Sequence, residues 1–352
     1  MIHGTWEPAP AARWEDAYAV GNGRHGALVL GDPEDDRVTV THHTLVRPEE
    51  PAAGQTPPEE QAPLAAAGER ASLLSRQLHP GFRTRVLRPP GGPAVPVRRS
   101  VDFSDGVVSG ECGERRSEVF VSRADDVLVQ YVTAPGPAVE ISLDHRFPGA
   151  PSWLGSERGI ATARRETVLT LRARYPDGPL GYTGLTLLRT DTGRTTLTAT
   201  GVRVEGAGRL LLLTRVLRHR GDPGTERETE ALRALLADPP GTRPDPTFRT
   251  GPDPTFRTGP DPTSRTRPVT PGPLDVLHAR LRARHTALHG PAYRRVTLDL
   301  GADPAERVLS GAELLRRPGS PALLERLFAA ERHRLLSSSA GPWTGGWDTP
   351  AR

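Results

Sequence analysis

The run Gly21-Asn22-Gly23-Arg24-His25-Gly26 has the G-x-G-x-x-G spacing that lets backbone N–H groups cradle a pyrophosphate. That chemistry needs a strand before the run, a helix opening on its last glycine, and an acidic residue roughly 20 positions on. Here Trp14 to Val20 carries Glu15 and Asp16 and no β-branched run. Ala27-Leu28-Val29-Leu30 stops at Gly31-Asp32, which reads as a strand entering a turn. No helix opens at the motif, so it is predicted to be a glycine-rich turn feeding a strand, not a nucleotide site.

The adjacent acids Glu15/Asp16, Asp35/Asp36 and Asp125/Asp126 could supply paired carboxylates, but neighbours on a strand point to opposite faces. Each pair therefore reads as a solvated turn or strand edge. His285 and His289 are four apart and could share a metal ion. His278 lies two helical turns away, roughly 10 Å by rise per residue, too far for the same ion. No thiol or converging carboxylate completes that set, so the three read as histidines bordering a packed helix face. Cys112 is the single cysteine and cannot form an intrachain disulfide. No nucleophile elbow, H-E-x-x-H or ordered triad occurs. No catalytic residue is assigned, substrate-binding residues are unknown, and neither a metal nor a cofactor is expected.

Composition narrows the chemistry further. The 352 residues contain no lysine, so all 46 basic residues are arginine, and Asn22 is the only asparagine. A Walker-type phosphate loop, a pyridoxal Schiff base and a lysine nucleophile are excluded, since each needs the missing amine. Acids interspersed with the arginines leave a net charge of only +4. The densest basic cluster, Arg280, Arg282 and Arg284, reads as a solvated helix flank, so no nucleic-acid partner is expected. The start has neither a basic nor an apolar leader region, and no run is long and apolar enough to span a membrane. A cytoplasmic location without membrane partners is the expectation.

Strand-like runs dominate from about residue 80 to 217, among them Glu118–Val121, Val127–Val132, Val139–Leu143, Thr167–Leu171 and Leu210–Thr214. Turn signals such as Ser104-Asp105-Gly106 separate them. Short strands at even spacing predict a mainly β fold, a large antiparallel β-sandwich followed by helical linker segments. The sandwich is assigned to 1–217, with a Pro/Ala-rich insert over 48–64. A helix over 218–239 closes it, with a capping box from Thr225 to Glu228 and Leu232, Leu235 and Leu236 buried. Residues 240–273 hold a repeated octad, Pro244 to Gly251 and its copies, with two prolines per octad, and are expected to be a disordered linker. Residues 274–352 turn helical. Leu274, Leu277, Leu281 and Leu288 form a stripe there, and Arg295–Leu300 reads as a strand. A last helix starts at Ser320-Pro321 and is expected to bury Leu324, Leu327 and Phe328.

Taken together, these segments resemble glycoside hydrolase family 95, the α-L-fucosidase-type enzymes, and especially its actinobacterial members. Trp14-Glu15-Asp16-Ala17 with Gly21 to Val29 looks like that family's opening W-E-x-A-x-x-x-G-N-G-R-x-G-A-M-V. Arg37 to Leu45 sits where the family has R-I-x-L-N-E-D-T-L, with Thr41-His42-His43 in place of Asn-Glu-Asp. Arg98 to Asp102, Ser117 to Ser122, Asp125 to Val129, Tyr293 to Gly301 and Leu335 to Ser339 resemble further family segments in order. The resemblance implies a β super-sandwich, a helical linker, then an (α/α)6 barrel. In that barrel a glutamic acid protonates the leaving oxygen, and an aspartate-supported asparagine pair activates water, an acid and a base flanking the bond.

The family's asparagine-rich catalytic segment is not matched. Gly341 to Asp348 is shorter, and no second asparagine exists. The expectation is an amino-terminal domain truncated at the start of its barrel and inactive alone. The competing reading is a non-catalytic β-sandwich that binds glycans or a protein. Expected partners are fucosylated or related glycans, a separately encoded barrel domain docking in trans, or a second copy. The last helix with Trp343 and Trp347 should expose an apolar face, with partial disorder after about Ser339 or self-association.

Overall fold

A computed structural model describes residues 3–46, 79–88, 96–133, 136–176, 178–221, 224–237 and 272–338. The insert over 48–64, the octad repeats, all but the last two residues of the 240–273 linker, and the tail with Trp343 and Trp347 lie outside the described residues.

The early strands are β1 (Gly4–Glu7), β2 (Tyr18–Gly21), β3 (His25–Val29), β4 (Asp35–His42) and β5 (Phe82–Leu87). Next come β6 (Val97–Asp102), β7 (Val107–Cys112), β8 (Arg115–Ser122), β9 (Val127–Thr133) and β10 (Ala138–Asp144). The last are β11 (Gly155–Ala163), β12 (Glu166–Arg174), β13 (Leu180–Thr190), β14 (Arg194–Leu197), β15 (Gly201–Glu205) and β16 (Arg209–Arg220). They form two antiparallel sheets, ordered β1-β6-β7-β8-β9-β16-β13-β12-β11 and β14-β15-β10-β5-β4-β3-β2. The helices are α1 (Glu226–Leu236), α2 (Pro273–Arg294), α3 (Pro304–Arg307), α4 (Gly311–Leu315) and α5 (Pro321–Ser338). The β-sandwich read from the strand runs is the fold.

The two sheets leave different marks on the sequence. In the seven-stranded sheet, Val38, Val40, Val139, Ile141 and Leu143 face the core, while Arg37, Glu140 and Ser142 between them face out. That is the period-two pattern of a sheet buried on one side. The central strands of the nine-stranded sheet, β8, β9, β13 and β16, are buried on both, while the outer strand β12 alternates. Leu210 and Leu212 enter the inter-sheet core, and Leu211 and Leu213 pack outward with Phe120, Leu185 and Leu187 against Leu232, Leu236, Leu274 and Leu281 of the helices. A strand covered on both faces needs no polar alternate, which is why Leu210 to Leu213 is an unbroken apolar run. The sheets also meet closely. A Cβ on Gly184 would lie 2.3 Å from the ring of Phe82, so only glycine lets that ring seat.

Several expectations are corrected by the helical part. Thr225 precedes α1 without a side-chain cap bond, its backbone at φ −105°, ψ 2° lacking the extended form a cap uses. Glu228 accepts from Arg215 at 3.1 Å instead of completing a capping box. Arg295–Leu300 pairs with no strand. It crosses α5, and Leu300 and Ala302 donate their N–H groups to the buried carboxylate of Glu325 at 2.7 and 3.4 Å. Leu288 is exposed; the buried face of α2 carries Leu274, Leu281, His278, His285 and His289. In α5, Leu324, Leu327 and Phe328 are exposed, while Ala322, Leu323, Ala329 and His333 turn inward. Small side chains let that helix lie close to the sheets, leaving its larger apolar residues outside.

Candidate functional site

The G-x-G-x-x-G run builds the β2–β3 hairpin, with Gly21 opposite Gly26. Gly23 takes φ +86°, a left-handed value that favours glycine. Asn22 sits inside the turn. Its Oδ1 accepts the N–H groups of Arg24 and His25, both at 2.9 Å, which fixes the orientation of the amide. Its Nδ2 donates to the Ser122 carbonyl at 3.0 Å and to Asp126 Oδ1 at 2.9 Å. One side chain thereby ties the hairpin of one sheet to the β8–β9 turn of the other.

His25 completes this tie. Its Nε2 accepts the Val216 N–H at 3.0 Å, so its proton is on Nδ1 and is donated to Asp126 Oδ1 at 2.9 Å. Burial pushes the Asp126 carboxyl up, but the bonds from His25 and Asn22 and the nearby Arg24 outweigh it and hold the group well below the ordinary carboxylate range. His42 meets His25 edge to face with ring centroids 4.5 Å apart, and His43 lies tilted at 4.3 Å from His42. His42 Nδ1 accepts from the Thr44 hydroxyl at 2.7 Å, and burial with its two imidazole neighbours lowers its pKa to about 3. Thr41-His42-His43 therefore backs the hairpin. No group of three or more His, Cys, Asp or Glu side chains is placed to hold a metal ion among the described residues.

The hairpin receives the carboxy-terminal end of α5. Gly23 donates its N–H to the Ser337 carbonyl at 3.0 Å, and a Cβ on Gly21 would fall 2.3 Å from that same oxygen. Arg123 bonds the Leu336 carbonyl, and His333 Nε2 donates to the Ala19 carbonyl at 2.9 Å. A nucleotide cradle turns N–H groups on an anion at a helix N-terminus. Here the glycine turn gives an N–H to the free carbonyls of a helix C-terminus, the opposite polarity.

The three acid pairs do not converge. Asp35 lies outward and bonds Arg85 at 2.6 and 2.9 Å, whereas Asp36 is buried and accepts from Ser117 and from Gln130 at 2.8 Å. Alternation along β4 separates them, as expected, but Asp36 is not solvated. Asp125 is likewise buried, bonded to Ser122 at 2.8 Å and paired with Arg284. Asp16 meets Arg13 at 3.3 Å on an exposed turn. The arginines of α2 are also not a solvated flank. Arg280 bonds the Leu235 carbonyl at 2.8 Å, and Arg282 bonds Asp105 at 3.1 Å and Glu118 at 3.4 Å. They dock α2 on the sandwich. Trp153 packs beside His79 and Tyr175, with ring centroids at 5.6 and 5.8 Å.

Residues 5–75 match the model for glycosyl hydrolase family 65, N-terminal domain. The match begins at β1 and takes in the whole β2–β3 hairpin. Among solved structures, a putative kojibiose phosphorylase from human microbiome aligns with TM-score 0.34 and 8% identity, over 66% of this chain and 35% of that chain. This chain thus spans about a third of that protein. No curated protein matches the chain. The family-model match over residues 5–75 supports a glycoside hydrolase N-terminal domain, and not specifically one of family 95.

The role of Asn22 was not assigned from sequence, although its being the only asparagine was a usable signal. Its partners Ser122 and Asp126 lie about a hundred residues away, beyond the reach of local pattern.

Proposed function

We propose that this chain is the amino-terminal β-sandwich of a glycoside hydrolase-type protein of the family 65 and family 95 kind, and that it cleaves no glycosidic bond by itself. Its task is to carry and orient a helical segment on which a catalytic domain docks. The observation that carries this reading is where the exposed apolar side chains lie. Leu288, Val296, Leu300, Val308, Leu315, Leu324, Leu327, Phe328 and Leu335 are all large and exposed, and all belong to the helical segment. Among the described residues of the sandwich, only Trp14 and Leu197 are comparable. Surface of that kind gathered on one segment marks a docking face.

Glycosidic cleavage needs an acid and a second carboxylate or an activated water across one bond. Asp35, Asp36, Asp125 and Asp126 are engaged in structural bonds, and Glu15/Asp16 lies on an exposed turn with Asp16 paired to Arg13. The finer assignment, an α-L-fucosidase-type protein whose barrel is supplied outside these residues, rests on the opening motif from Trp14 to Val29 and the order of the later segments. The purified chain, assayed on aryl α-L-fucosides and aryl α-D-glucosides with and without inorganic phosphate, is expected to show no turnover above blank. Co-expression with a family 95 or family 65 barrel lacking its own sandwich is expected to give a stable complex. Turnover by the chain alone would overturn the reading. So would failure to bind either barrel combined with specific glycan binding by the sandwich.

A further inference from the structure

The carboxy-terminal half of α2 and most of α5 meet the sandwich through imidazoles. His285 Nε2 donates to the Asp105 carbonyl at 2.8 Å, His289 Nε2 to the Phe103 carbonyl at 3.0 Å, and His333 Nε2 to the Ala19 carbonyl at 2.9 Å. The rings follow one another, with centroids 5.2 Å apart from His285 to His289 and 5.8 Å from His289 to His333. Gly106 lies against the first two; a Cβ there would come within 2.9 Å of His289 and 3.0 Å of His285. Each ring already uses its one proton. Nδ1 of His285 accepts the Arg123 N–H at 3.2 Å, and Nδ1 of His289 and of His333 is buried without a partner. A second proton on His285 or His289 has no acceptor to meet, and on His333 it faces only the Phe103 carbonyl, whose effect burial outweighs.

The charged groups around them do not offer one. On the β6–β7 turn, Asp102 accepts from Ser104 and the Asp105 N–H, and Asp105 is paired with Arg282. On β8, Glu118 is occupied by Arg116, His278 and Arg282. From the β8–β9 turn comes the cation of Arg123, and from α2 come the cations of Arg282 and Arg294. At the amino-terminal side, His3 meets Tyr293 at 3.4 Å. No carboxylate forms an ion pair with His285, His289 or His333 among the described residues.

We propose that these three imidazoles are an acid latch: neutral, they hold α2 and α5 on the sandwich, and protonated, they release both helices while the two sheets remain folded. Burial lowers all three, His285 to about 4 and His289 to about 2, with the neighbouring imidazoles adding to the shift of His289. A base with a depressed folded pKa binds its proton more readily once released. The latch is therefore complete above about pH 6.5 and weakens as pH falls below it, roughly tenfold in opening per histidine per pH unit. The sheets outlast the helices for a packing reason. His42 and His79 are also lowered by burial, but they sit among hydrogen-bonded strands and the main core. From α5 that core receives Ala329 with the half-buried Ala330 and Leu336, whereas Ala322 and Leu323 pack on Ala302 and Leu314.

Hydrogen exchange of the full chain, followed by mass spectrometry and normalised for the intrinsic pH dependence of exchange, tests this. Peptides from 282–294 and 321–338 are expected to open before those of β9, β13 and β16. Their opening should rise by up to about a thousandfold per pH unit when all three rings titrate. In His289→Gln/His333→Gln the amide nitrogen keeps each carbonyl bond and removes the titration, so the rise should fall to about tenfold. Simultaneous loss of protection in helices and sheets, or an unchanged slope in the double variant, overturns the latch. Should that variant not fold, 15N resonances of the wild-type imidazoles decide. Neutral Nε2–H tautomers persisting in the docked state into mild acid support the latch, and titration near the ordinary histidine value with the helices docked overturns it.

Discussion

At the scale of single residues, Asn22 carries more of the assembly than its size indicates. Its four hydrogen bonds reach two hairpins, and one partner is the carboxylate of Asp126. Truncation leaves two N–H groups, a carbonyl and a carboxylate short of partners in a buried place. By the usual worth of such bonds, Asn22→Ala should lower stability by about 2–4 kcal/mol. Asn22→Asp tests the chemistry. It keeps an acceptor for Arg24 and His25 but turns a second oxygen toward the Ser122 carbonyl and Asp126. At neutral pH it should be less stable than Asn22→Ala. Repulsion requires the new carboxyl to be ionised, so its deficit should narrow as pH falls through the carboxylate range. Urea midpoints of the two variants across that range check the sign; a deficit that does not change with pH would refute it. The identity of Asn22 was legible, but its role was not, since every partner outside the turn comes from distant sequence.

At the scale of elements, what was legible depended on how many faces an element buries. Strands of the seven-stranded sheet alternate, as does β12 of the other sheet, whose central strands run apolar, so both kinds could be read from local text. Helix α5 could not. It has two apolar arcs, one of Leu324, Leu327, Phe328 and Leu335, the other of Ala322, Leu323 and Ala329, and side-chain size favours the first. The structure buries the second, Ala322 and Leu323 against Ala302 and Leu314 and Ala329 against the sandwich core, which α5 meets at its carboxy-terminal end through the hairpin. Gly21 and Gly23 set how close the helix lies there. Gly21→Ala places a Cβ in the Ser337 carbonyl, backbone against backbone, with no flexible side chain to yield. The last turns of α5 should then lose hydrogen-exchange protection, while β12, β13 and β16 keep theirs. Unchanged protection over 333–338 would show that the hairpin does not position the helix. The extended Arg295–Leu300 segment teaches the same lesson from the other side. Its alternation is real, but a helix carboxylate, not a strand, receives its N–H groups.

At the scale of the whole molecule, the outer faces of the sandwich that meet solvent are mainly polar, whereas the helical segment carries most of the large exposed apolar side chains. Leu324, Leu327, Phe328 and Leu335 are 49%, 47%, 37% and 62% exposed on one arc of α5, with Glu331 among them. A stripe of this kind loses contact with water when a domain docks on it, and a second copy can substitute for that domain. The isolated chain is therefore expected to self-associate with increasing concentration. Leu327→Ser/Phe328→Ser should abolish the association. Both side chains point away from the core, so the double substitution should change unfolding stability by about 0.5 kcal/mol or less per site. Sedimentation velocity gives the first result and a urea transition the second. If the wild-type chain stays monomeric throughout, the stripe is not sticky enough to act as a docking face. If the variant is strongly destabilised, the stripe is part of the fold and not a surface at all. A docking domain should also cover the same arc in place of a second copy. Adding a bound barrel should therefore dissociate the self-associated form, and retention of both contacts at once would place the barrel elsewhere.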